Sequence, residues 1–97
     1  MVAPQALMLL NDSFVQQEAA LFAERVWLEC AAHDDATHIR RAFALALQRS
    51  PNERESQAAV GMLAQQRDLA PGGDAARTAL RNFCAALLNV NEFVYVD

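Results

Sequence analysis

The chain has 97 residues, 54% of them apolar and 21% charged, with only three Gly and three Pro. That length holds one domain with one modest core and excludes a TIM barrel or a full Rossmann fold. Eight Arg, no Lys and twelve acidic residues leave a net charge of −4. An acidic surface repels phosphate backbones, so nucleic acid is not an expected partner.

Twenty Ala and twelve Leu, against seven Val, one Ile and two Thr, favour helix over sheet. A short helix is expected over residues 5–10, with Pro4 at the position where its missing N–H costs nothing. Asn11-Asp12-Ser13 breaks it, and Ser13 with Gln16 reads as the capping box of a second helix. Val15, Ala19, Phe22, Val26 and Cys30 then recur at spacings of four and three, one face of an amphipathic helix. Phe14, Leu21 and Leu28 add a second seam seven residues apart, which predicts a central place in the bundle.

Asp34 or Asp35 is suited to cap a third helix carrying Ile39, Ala42, Phe43, Ala46 and Leu47. Ser50-Pro51-Asn52-Glu53 predicts a fourth helix with Ser50 as cap, Pro51 first and Glu53 closing the box. Its face, Ala59, Met62, Leu63 and Leu69, is weaker. Pro71-Gly72-Gly73 ends it, and Asp74 opens a fifth with Ala76, Leu80, Phe83, Cys84, Leu87 and Leu88 on one side. After Asn89, the alternation Phe93-Val94-Tyr95-Val96 reads as an extended tail.

The expected fold is therefore all-α: a mostly antiparallel bundle of four main helices, a short N-terminal helix and an extended C-terminal tail. Its core is expected from Leu7, Leu10, Phe14, Phe22, Val26, Ile39, Phe43, Leu47, Met62, Leu63, Leu80, Phe83 and Leu87. No run approaches the roughly 18 apolar residues of a membrane span.

Catalytic patterns are missing. Gly72-Gly73 follows a helix rather than a strand, so the phosphate-loop and dinucleotide fingerprints fail. The paired carboxylates Asp34-Asp35 and Glu53/Glu55 fall at helix starts, where capping and the helix dipole account for them. Cys30, His33 and His38 make a lone C-x-x-H with a trailing His, read as a core thiol and two histidines at a turn. No metal, cofactor or catalytic residue is expected. Arg40, Arg41 and Arg49 make a poor basic stripe, since neighbours on a helix point about 100° apart. A polar group, Asn11, Asp12, Asn89, Asn91 and Glu92, together with Phe93 and Tyr95, is the candidate interaction or pocket surface.

Three stretches resemble one known family. They are Pro4-Gln5-Ala6-Leu7 with Leu9-Leu10-Asn11-Asp12 and Phe14-Val15; Ala42-Phe43, Leu45-Ala46-Leu47, Arg49, Pro51 and Glu55; and Cys84, Leu87-Leu88-Asn89 with residues 91–97. The chain resembles the C-terminal part of the planctomycete-type PSD-one domain of unknown function, found in multidomain proteins beside cytochrome c-like domains. The family often has Gly and Thr where Gln48 and Asn52 stand here. The resemblance implies a longer, exported parent chain, and it carries no catalytic residue across. It implies as partner the rest of the parent chain or another protein; self-association is also open. Two functions are weighed: a packing and interaction module without activity of its own, or one wall of an enzyme or redox site whose reactive groups lie upstream.

Overall fold

The computed structural model describes residues 13–70 and 72–96, with side chains described up to Val90. It holds four helices: α1 (Ser13–Glu29), α2 (Asp35–Leu47), α3 (Glu53–Leu69) and α4 (Ala75–Val96). No strand occurs among the described residues. The expected helix over residues 5–10, the core positions Leu7 and Leu10, and Asn11 and Asp12 lie outside them. The side chains of Asn91, Glu92, Phe93 and Tyr95 do too.

Local chemistry sets the helix limits. Asp34 caps α2, its Oδ1 accepting from the Thr37 amide at 2.8 Å and from the Thr37 hydroxyl at 2.9 Å. The start of α3 corrects the Ser50 expectation: Asn52 is the cap, its Oδ1 accepting from the Glu55 amide at 2.8 Å. Glu55 closes the box by accepting from the Asn52 amide at 2.9 Å. Both registers place an acid three residues after the cap. The Asn52 register wins because Glu55, and not Glu53, also receives the Arg49 guanidinium through two bonds of 2.7 Å.

At the end of α2, Gln48 takes φ 58°, ψ 35° and donates its amide to the Ala44 carbonyl at 3.1 Å. This left-handed cap suits glycine and costs an L side chain about 1–2 kcal/mol. Gln48→Gly is therefore expected to stabilise the fold by about 0.5–1 kcal/mol after the added entropy of the unfolded chain is subtracted. A thermal melt checks this as a midpoint raised by a few degrees.

The expected extended tail is corrected as well, since α4 runs on through Val96. Alternation alone does not make a strand. A helix already under way gains one hydrogen bond per added residue, whereas an extended tail without a neighbouring edge leaves its amides and carbonyls unpaired.

Helix α4 packs against all three others, α2 touches both α1 and α3, and α1 and α3 do not meet. The core is Val26, Cys30, Ile39, Phe43, Leu63, Leu80, Phe83 and Leu87, with Ala42, Ala79 and Cys84 filling the close approaches. Phe22, Leu47 and Met62 pack on it half-buried. Phe14 does not join it. It is 63% exposed, and Leu21 and Leu28 are 68% and 71% exposed. The reason is angular: nine residues at about 100° each put Leu28 opposite the fully buried Ala19. Helix α1 therefore packs by one face only, and the central helix is α4.

Candidate functional site

The charged residues pair along the helix borders. Glu29 accepts from Arg25 at 2.6 Å and from the Arg41 Nε at 2.7 Å, and the two guanidiniums hold its carboxyl below the usual carboxylate range. Arg49, with the Asn52 amide, lowers Glu55 to about 2. Arg67, late in α3, forks onto Asp35 at the start of α2 at 2.8 and 3.1 Å. Arg41 and Arg49 are thus committed to carboxylates, and no basic stripe forms from Arg40, Arg41 and Arg49.

The corner between α1 and α2 gathers the chemistry that sequence reading left dispersed. Trp27, near the end of α1, stacks on the His33 ring at a centroid distance of 4.0 Å and an interplanar angle of 12°. His33 Nδ1 lies 3.0 Å from His38 Nε2, a hydrogen-bond distance between two imidazoles. His38 is buried, and its pKa is held below the ordinary imidazole value chiefly by burial and then by His33, against the pull of Asp35 and Asp34. The Arg77 guanidinium, from the start of α4, sits 4.8 Å from the Trp27 ring centre, a cation–π contact. It also reaches both oxygens of Glu24 at 3.4 Å. Beside Trp27 lies a cleft of about 360 Å³ between α1 and the first turns of α4, walled by Glu24, Asp74, Arg77 and Arg81. Sequence reading placed both histidines at a turn. The missed signal was the three-residue tie between Asp34 and Thr37, which brings His38 back over the loop that carries His33.

Cys30 and Cys84 are free, buried thiols. The Cys30 Sγ donates toward the Thr37 carbonyl at 3.9 Å. Burial pushes the Cys84 thiol up to about 12, so it stays protonated and acts as a small apolar filler. Among the described residues, no group of three or more His, Cys, Asp or Glu gathers in a metal-binding arrangement. No described helix is long and apolar enough to cross a membrane.

Of the candidate polar group, only Asn89 has a described side chain. It is 9% exposed, and its Oδ1 is buried without a hydrogen-bond partner among the described residues. On the outer side of α1, the exposed Phe14, Leu21 and Leu28 form an apolar seam, and Glu18 and Glu24 are exposed on the same helix.

Comparison with known proteins returns a match over residues 1–63 to a family described as PSD1, protein of unknown function (DUF1553). The matched stretch takes in α1, α2 and most of α3, and it ends before α4. No curated protein matches the chain. No solved structure matches it either.

Proposed function

Since the chain belongs to the PSD1 family of proteins of unknown function (DUF1553), we propose that it is a helical packing module of a larger protein, without catalysis of its own. In this reading it docks an amphipathic helix on the outer face of α1. The observation that carries the reading is the exposure of Leu21 and Leu28, seven residues apart on the outer side of α1. Large apolar side chains that recur in water on one helix face suit an interaction surface. Their seven-residue spacing suits the knobs and holes of a second helix with apolar residues at heptad spacing.

Glu18 is exposed on the same helix of an acidic chain, so the docked helix carries basic residues along its flanks. Placement at the C-terminal end of the parent is part of the same proposal, supported by the resemblance of Cys84, Leu87-Leu88-Asn89 and residues 91–97 to the family's C-terminal part. An antiparallel order of the four helices is part of the proposal. It is supported by Arg77 at the start of α4 meeting Trp27 and Glu24 late in α1. Arg67 late in α3 meeting Asp35 at the start of α2 supports it too.

A photo-activatable residue placed at Leu21 or Leu28 of the protein in its source cells tests the reading. The expected cross-links map to one helical segment with apolar residues every seven positions and basic flanks. The same probe at Arg54, exposed on α3, gives none. The double change Leu21→Asp and Leu28→Asp is expected to abolish the contact while moving stability by no more than about 0.5 kcal/mol, as for exposed positions generally. Cross-links scattered over unrelated proteins, or a double variant that unfolds, would sink the proposal.

A further inference from the structure

The α1–α2 corner holds a feature that the docking role does not use. Two imidazoles whose ring nitrogens stand 3.0 Å apart hold one proton between them on that axis, one ring donating and the other accepting. We propose that His33 and His38 form a proton-sharing latch that keeps the α1–α2 corner closed at neutral pH and opens it when both rings are protonated.

The geometry leaves no other outcome for the doubly protonated pair. Two imidazoliums facing each other at this distance present N–H to N–H, with no acceptor between them and like charges in contact. With no more than one added proton on the pair, one ring still donates and the other accepts. With two, the bond cannot be made. His38 is buried on α2, whereas His33 is exposed in the connecting loop, so His33 is the ring that leaves. Its departure unstacks Trp27 and opens the end of α1.

The carboxylates facing the pair, Asp35 and Asp34, favour the second charge, but burial and the neighbouring ring outweigh them at His38. From the loop, Asp34 is engaged by the Thr37 amide and hydroxyl, and these bonds keep it ionised well below the histidine range. At the start of α2, Asp35 is forked by Arg67 of α3. From α1, Glu29 is taken by Arg25 and Arg41, and the Cys30 thiol points to the Thr37 carbonyl. From α4, Arg77 adds a positive charge over Trp27. The linkage follows from burial. The folded state keeps His38 neutral to lower pH than the unfolded chain does, so it binds fewer protons just below the ordinary value of 6.5. The latch's stability is fully present above that value and is lost as pH falls through the folded-state titration.

The 97-residue chain tests this through histidine ring NMR and the emission of its one tryptophan, Trp27, followed against pH. The expected wild-type result is two protonation steps separated by more than about one pH unit. Trp27 emission should change with the lower one. In His33→Gln, with helicity at pH 7 confirming the fold, the lower step vanishes, His38 titrates once, and the emission change at that step is lost. His38→Gln should likewise abolish the Trp27 emission change, with far-ultraviolet helicity at pH 7 confirming the fold. Coincident steps in the wild type overturn the latch. So does a His38 titration left unmoved by His33→Gln.

Discussion

Phe83→Ala is expected to lower the folding free energy by about 3–5 kcal/mol, read as a lower midpoint in denaturant at unchanged slope. Phe83 is buried on α4, the helix that touches every other one, and its ring stands 6.5 Å from that of Phe43 on α2. Truncation removes the transfer energy of the ring, the aromatic pair and the contact joining α2 to α4. An open apolar groove beside Phe83, walled by Leu47, Met62 and Val90, lets neighbours shift and water enter. Part of the cavity cost is thereby relieved, which points to the lower half of the range. A domain of this size is stable by about 5–15 kcal/mol, so even that loss is a large share. A loss near zero would mean that α4 is not docked through Phe83.

Leu63→Ala is expected to cost about 2–5 kcal/mol and to act first on α3. That helix commits only Ala59 and Leu63 to the buried set, with Met62 half-buried beside them. Its other ties are polar and near the surface: Arg67 to Asp35, and the Asn82 Nδ2 donating to Gln66 Oε1 at 2.8 Å. Such links contribute at most about 1 kcal/mol each. Without Leu63 they do not hold α3 alone. Amide exchange in α3 should then rise well before that of α1 and α4, as expected for a weakly held segment. A matched Met62→Ala should cost less, because that side chain remains partly in water. Equal losses at the two positions would contradict the burial pattern.

Much of this architecture is legible from neighbours in the chain. A cap of α2 at Asp34 or Asp35, a stop of α3 before Gly72-Gly73 and the stripe Leu80, Phe83, Cys84 and Leu87 all depend on contacts within a few residues. Where two local solutions compete, reading fails by a register. Ser50 and Asn52 each have an acid three residues on, and only Arg49, folded back across the turn, favours the second. At the closing segment, the alternation of residues 93–96 satisfies a strand template, but the helix already under way continues through it.

The site was less legible than the fold. Cys30, His33 and His38 stand out in the sequence as ligand types, yet the arrangement is a ring pair on Trp27 rather than a metal cage. Arg77 arrives from more than forty residues away, and no spacing rule predicts it.

Composition and periodicity by themselves determined that this protein is helical, where most helices stop and which residues are able to face a core. Tertiary structure alone decided which apolar stripe of α1 is covered, which helix is central and that two imidazoles share an axis. The physical reason is range: caps and hydrogen-bonded turns form between residues up to four apart, so the sequence states them directly. Burial and side-chain encounter depend on which distant surface arrives, and an apolar stripe does not say what will cover it.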